Sequence, residues 1–297
     1  MFFKSVYVTE LFTNIAKEKY IFDVTLGDSK LVKIHVNSSD SKHVTCLYQC
    51  LVSEPLFNAL RDGFDNETFE LSQKEELLEV RNIIRQAYKH FMKTTIYLLD
   101  WYEMDVNNVG TLKEYKYSYD GDEWFSIPYI LIGEPNATVS VYPSHNITSQ
   151  TEQIIQKSLN GDFLRSYVAL SYLHKAKREQ DNRHKWINAT IAAELAIKEF
   201  LISDKPELRT LIFEVPSPPL HKLYGIVLES FYGEKSPKVS ELNKGAFKRN
   251  SLIHKPNEVL LTSEEVEKYI KDVEQAIFHL YSLIYKDNTL IKSYLED

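Results

Sequence analysis

The sequence predicts an α+β protein: a mixed N-terminal half of helices and β-hairpins, followed by an all-α helical bundle. Three observations carry this. Short alternating apolar runs joined by tight-turn residues occur only in the first half. From Thr151 onward, apolar residues recur at steps of three and four. Between the two textures lies a polar, turn-rich stretch from Pro143 to Gln150, which reads as a domain boundary. The expected units are therefore residues 1–148, an α+β domain with a sensing or regulatory role, and 149–297, the bundle.

Each element has its own signal. Tyr20–Leu26, the turn Gly27-Asp28-Ser29-Lys30, and Leu31–Val36 form a β-hairpin. Helical periodicity covers roughly His43–Asp62 and then Gln73–Met104, where Leu77, Val80, Ile84, Ala87 and Phe91 make one apolar face. A second hairpin joins Tyr115–Tyr119 to Glu123–Ile127 through Asp120-Gly121, and Ala137–Tyr142 reads as a further strand. In the second half about five helices are expected. Ile154–Leu159 opens it, and Asp162–Arg178 and Trp186–Ile202 follow. Pro216, Pro218 and Pro219 precede Leu220–Tyr232, and Gly233 and Pro237 precede Val239–His254. The last helix opens on the capping box Thr262-Ser263-Glu264-Glu265 and carries Val266, Ile270, Val273, Ile277, Leu280 and Ile284 as one stripe.

Composition narrows the function. A net charge of -7 argues against a uniformly basic nucleic-acid coat and leaves only a local basic patch. The first residues make no secretory signal, no run is long enough to cross a bilayer, and two cysteines make no disulfide framework, so the cytoplasm is the expected compartment. His43, Cys46 and Cys50 would share a face if helical, yet a tetrahedral metal site needs a fourth ligand and only His35 is near. Buried core cysteines are the commoner outcome, so no metal and no cofactor are expected. Glycine-rich phosphate loops, G-x-S-x-G elbows and H-E-x-x-H motifs do not occur.

The remaining chemistry is an arginine followed, after four to six residues, by a histidine. About one such match is expected by chance, so context must decide. The chain has three: Arg85–His90, Arg178–His184 and Arg249–His254. The third lies on a helix expected to bury Val239, Leu242, Ala246 and Ile253. Five residues of helix turn by about 140° and advance about 7.5 Å, so Arg249 and His254 should flank that stripe while Asn250 shares a row with His254. Pro256 disfavours helix at Lys255, which sets His254 in the last turn, at the negative end of the helix dipole.

With its neighbours, this string resembles the HEPN family of helical bundles found in toxins, abortive-infection proteins and RNA-processing enzymes. The resemblance covers roughly residues 155–287 and rests on Gly245–His254, the polar loop, Thr262–Glu265, and Ala192-Ala193-Glu194-Leu195-Ala196-Ile197-Lys198. It implies a homodimer through the bundle that joins two Arg-x4-6-His motifs into one ribonuclease site acting on RNA. Arg249 and His254 would be the catalytic pair, Asn250 the polar residue after the arginine, and Glu194 an acidic member. A toxin or antiviral-defence role, with a neutralising or regulatory protein partner, is the family-level expectation. The alternative the resemblance leaves open is a noncatalytic module that binds a protein or nucleotide.

The chemistry fits those residue types. RNA cleavage without metal uses the neighbouring 2′-hydroxyl as nucleophile, so it needs a base, an acid and positive charge at the phosphorane. Arginine's planar fork suits phosphate and histidine suits proton transfer near neutral pH. One histidine does not serve as acid and base in one step, which gives a twofold dimer a mechanistic purpose. Lys177, Arg178, Arg183 and Lys185, with Lys248, are the candidate RNA contacts, against the plainer reading of a solvated corner between helices. Tyr115, Tyr117, Tyr119, Trp124 and Phe125 suggest either a base-stacking sheet or ordinary strand formers, and Glu194 with Lys198 a helix-surface ion pair.

Overall fold

A computed structural model of the chain describes residues 1–9, 12–15, 18–27, 29–37, 43–63, 69–102, 104–107, 110–128, 145–162, 167–214, 218–255, 259–285 and 291–292. It bears out the α+β class. Two compact units divide the chain, Met1–Phe163 and Leu164–Asp297.

The first unit is built on a six-stranded antiparallel sheet. Its strands are β1 (Phe2–Val8), β3 (Lys19–Leu26), β4 (Lys30–Asn37), β5 (His43–Gln49), β6 (Thr111–Ser118) and β7 (Phe125–Ser126). Their spatial order is β3-β4-β5-β1-β6-β7, while β2 (Phe12–Ile15) pairs in parallel with β8 (His145–Ile147). Side chains alternate between faces, so register aligns Phe22, Ile34, Cys46, Ser5 and Tyr115 into one buried line across five strands. Helices α1 (Glu54–Asp62) and α2 (Leu71–Leu98) supply partners for that face. Phe91 meets Phe22 at 4.9 Å, Tyr88 stacks on Tyr7 at 3.9 Å, and Tyr117 donates its hydroxyl to the Leu60 carbonyl at 2.8 Å.

The two expected hairpins are present, β3–β4 and β6–β7. The expected helix over His43–Asp62 is not. Val44, Cys46 and Tyr48 are buried with half-exposed residues between them, the period of a strand, and helix begins only at Glu54 after the Ser53 cap. His43 and Cys46 therefore point to opposite faces, and the shared face that a metal site required does not form. The long helix ends at Leu98 rather than near Met104, with Asp100 at a φ of 51° just beyond it. Ala137–Tyr142 lies outside the described residues.

Helix α3 (Ser149–Leu159) also departs from expectation. Its place after the polar stretch predicts that it belongs to the bundle, yet it packs on α2 and β3 within the first unit. Its buried residues Ile154, Ile155 and Leu159 form the apolar face that docks there. The Gln156 side chain accepts from the Asp23 backbone N–H at 2.8 Å and donates to its carbonyl at 2.9 Å, so an amide side chain completes the edge of β3 as a neighbouring strand would. The boundary consequently falls after Phe163, not at 148.

The second unit is helical: α4 (Tyr167–Arg178), α5 (Asn182–Asp204), α6 (Arg209–Glu214), α7 (Leu220–Lys222), α8 (Leu228–Tyr232), α9 (Val239–His254) and α10 (Ser263–Ile284). The expected Leu220–Tyr232 helix is interrupted by a π-helical turn at Leu223–Val227, with Gly225 off helical geometry (ψ of -108°). The turn leaves the Tyr224 carbonyl free to accept from the Ser236 N–H at 2.9 Å, and the Tyr224 hydroxyl reaches the Ala193 carbonyl at 2.8 Å. Helix α10 starts where its cap was read: the Thr262 side chain accepts from the Glu265 N–H. Val266, Ile270, Val273, Ile277 and Leu280 are buried as its stripe requires, and Ile284 is exposed. No helix among the described residues is long and apolar enough to cross a membrane.

Candidate active site

Helix α9 runs antiparallel to α10. Lys248 pairs with Glu265, Gly245 meets Tyr269, and Lys238 pairs with Asp272 at 2.7 Å. The tightest point is Gly245, where an added Cβ would lie 2.1 Å from the Tyr269 ring. Trp186 of α5 completes this crossing, stacked on Tyr269 at 4.1 Å and donating its indole N–H to the Gly245 carbonyl at 3.0 Å. Helix α9 is thus pulled in at Gly245.

Leu242 keeps its expected place, but beyond it the buried stripe shifts by one residue, from Ala246 and Ile253 to Gly245 and Leu252. Leu242, Gly245 and Leu252 are buried, while Ile253 is 47% exposed. Arg249 falls on the buried row, four residues after Gly245 and three before Leu252, rather than flanking the apolar stripe. Its Nε is buried with no hydrogen-bond partner, and its Nη1 donates to Asn250 Oδ1 at 3.0 Å. Asn250 and His254 are exposed and share a row with Phe247, as their spacing requires. The helix ends at His254, where the Lys255 N–H bonds back to Ser251. Arg249 and Asn250 are therefore brought together, with His254 about 6 Å further along the same helix.

Glu194 is not part of this group. Helix α5 runs antiparallel to α9 around the Trp186–Gly245 contact, so Glu194 and Arg249 lie in opposite directions from it, on the order of 18 Å apart along the axes. Glu194 instead accepts from Lys198 at 2.7 Å, one turn away. What does lie near the end of α9 is the start of two helices. The Asn182 side chain at the start of α5 donates to the Leu261 carbonyl and to Ser263 Oγ at the start of α10. Asp181 caps α5 by accepting from the Arg183 and His184 N–H groups, and the His184 N–H bond leads in holding its carboxyl below the usual range.

The candidate RNA contacts divide into two groups. Arg178 and Arg183 are exposed at the α4–α5 corner. Lys177, Lys185 and Lys248 each donate to a glutamate of α10: Glu274, Glu267 and Glu265. Lys248 also lies 5.1 Å from the Trp186 ring centroid. Sequence reading missed these acidic partners, because pairing across helices depends on their rotation about their axes. It also missed Gly245, for which a signal existed: a glycine inside a helix costs roughly 1 kcal/mol relative to alanine and asks for a close approach to justify it.

In the first unit the aromatic run also divides. Tyr115 and Tyr117 are buried under the helices, whereas Tyr119 and Phe125 reach the surface beside Phe57. Among the described residues no group of three potential metal ligands comes together. Comparison with known proteins gives no family model, no curated protein and no solved structure that matches the chain.

Proposed function

We propose that the C-terminal unit is a metal-independent endoribonuclease of the HEPN type, working as a homodimer that joins two copies of the end of α9. The observation that carries this reading is the Arg249–Asn250 hydrogen bond, with His254 on the same exposed helix row as Asn250. Arg249 would hold the phosphate and the phosphorane charge, Asn250 would fix the guanidinium plane, and His254 would move the proton. A second copy supplies the second histidine for the opposite proton transfer. Phe247, 66% exposed on that row, gives the facing copy an apolar anchor. Arg178 and Arg183 extend the positive charge along the corner beside it.

One observation favours a noncatalytic binding module. Lys177, Lys185 and Lys248, which should meet RNA in a nuclease, are occupied by α10 glutamates. RNA cleavage in EDTA separates the readings. Wild type should give cyclic-phosphate ends, and Arg249→Ala and His254→Ala should each lose about a hundredfold or more in rate while keeping the wild-type melting curve. Equal rates in all three proteins reject the assignment, and RNA binding without cleavage by the wild type favours the binding module.

A further inference from the structure

The open face of the N-terminal sheet carries a basic row of a different kind. Strand alternation sends Lys4, Lys33 and Lys116 away from the helix-covered face. Register then lines up Asp23, Lys33, Leu47, Lys4 and Lys116 straight across β3, β4, β5, β1 and β6. Lys4 and Lys116 are direct cross-strand partners, a like-charge pairing that is unfavourable in itself. Glu114 takes Lys116 at 2.7 Å and Asp23 stands opposite Lys33, but neither Lys4 nor Lys33 closes an ion pair among the described residues. The Trp124 ring lies 4.2 Å from the Lys4 ammonium, at the end of the row. Lys113, in the bulge of β6, approaches His43 of the same face at 3.0 Å.

Neighbouring lysines contribute to the shifts of three titrating groups on this face, against opposing contributions from Glu114 at Lys4 and Asp23 at His35. Burial and then Lys116 lower the Lys4 pKa. His35 is pushed down to about 4, first by burial and then by Lys19 and Lys33. Glu114 is held below the usual carboxylate range by its hydrogen bond from Lys116, with Lys113 and Lys4 adding to it. In a chain of net charge -7 this is a local reversal of sign.

We propose that this open sheet face binds single-stranded RNA, with Lys33, Lys4 and Lys116 following the phosphates and the Trp124 indole stacking on a base. A duplex would engage the charges but keep its bases from the ring, and an acidic protein surface would likewise leave the ring unused. The proposal concerns binding by the first unit and holds whether or not the bundle cleaves RNA.

Fluorescence anisotropy of the full chain in EDTA tests it, using a labelled 2′-O-methyl oligouridylate of about twelve nucleotides. That probe lacks the nucleophile for 2′-hydroxyl attack, so a failure of binding stays distinct from a failure of the catalytic reading. Lys4→Gln with Lys33→Gln should weaken binding about tenfold or more and flatten the log–log salt dependence by about 1.4, as expected for two lost phosphate contacts. Trp124→Leu should weaken binding about tenfold with an unchanged salt slope. Lys89→Gln, an exposed lysine of α2, should bind as wild type, and matched thermal melts should confirm that each variant folds. Absence of binding by the wild type overturns the proposal, as does wild-type affinity in the double variant. An equal loss in Lys89→Gln does the same. Oligoglutamate competing as well as RNA would assign the face to an acidic protein instead.

Discussion

On the open face of the N-terminal sheet, Lys4 and Lys33 close no ion pair among the described residues, whereas in the bundle Lys177, Lys185 and Lys248 are each tied to a glutamate of α10. The difference lies in the elements that hold them. A strand sorts its residues strictly between two faces, so lysines from separate strands gather on the open one where the register aligns them. A helix spreads its polar residues around most of its circumference, and bundling brings the charges of one helix against those of the next. A lysine-rich stretch in sequence therefore marks a basic surface only where the fold leaves it uncompensated. The basic cluster of Lys177, Arg178, Arg183 and Lys185 is partly neutralised, and the scattered Lys4, Lys33 and Lys116 form the row.

The bundle side of this comparison breaks most readily at Gly245. Any Cβ there must occupy space held by the Tyr269 ring, which is itself fixed by Trp186 and by Thr190 at 3.0 Å. Gly245→Val should destabilise the second unit by about 3 kcal/mol or more, read as a drop in its urea midpoint. A midpoint equal to wild type would show that α9 does not approach α10 so closely, and the rotation that places Arg249 inward would fall with it.

The pairing itself is next in size. Lys177 and Glu274 have side chains only 11% and 16% exposed and lie 2.6 Å apart. Glu274→Leu should cost about 2 kcal/mol or more by leaving a largely desolvated ammonium without that carboxylate, and adding Lys177→Met should recover most of it. Additive losses in the double-mutant cycle would mean that the two residues do not compensate each other.

On the sheet side, His35 supplies a pH signature. Its folded pKa, about 4, lies below the unfolded value of 6.5, so between these pH values the unfolded chain binds more protons. The stability contributed is full above about pH 6.5 and is lost as pH falls towards 4. For a ring that is partly exposed, solvent screening leaves about 1 kcal/mol, measurable by denaturation at pH 7 and pH 4.5. His35→Asn should flatten that part of the profile. An unchanged profile would mean that burial and the nearby lysines do not hold the His35 pKa down.

The sequence made the fold class legible because period and punctuation agree in most elements: both hairpins and the capped α10 stand where their signals put them, and the long α2 does so apart from its earlier end at Leu98. It misled at His43–Gln49, a short apolar run whose period fits helix or strand until pairing with β1 and β4 decides. It misplaced α3 because a polar boundary stretch does not say which side a helix docks on. At the candidate site the row of Asn250 and His254 and the helix end were legible from spacing and from Pro256. The inward turn of Arg249 was not, since it depends on where Tyr269 and Trp186 press against Gly245. The displacement of Glu194 was hidden too, because it follows from helix direction.

The smallest expected effect gives the finest test of the comparison. Glu265 and Glu267 hold Lys248 and Lys185 against the first turns of α10, and both glutamates are substantially exposed, at 45% and 56%. Glu265→Gln with Glu267→Gln should therefore change stability by less than about 1 kcal/mol, because exposed pairs contribute little and carboxylates near a helix N-terminus add only tenths. The same change frees two lysines at the bundle end. If compensation is what keeps this end from acting as a basic surface, oligonucleotide affinity should rise severalfold, more steeply at low salt. The rise should persist when Lys4 and Lys33 are both glutamine, because those lysines belong to the other face. An unchanged affinity would mean that helix packing, rather than glutamate pairing, decides whether these lysines can reach a phosphate.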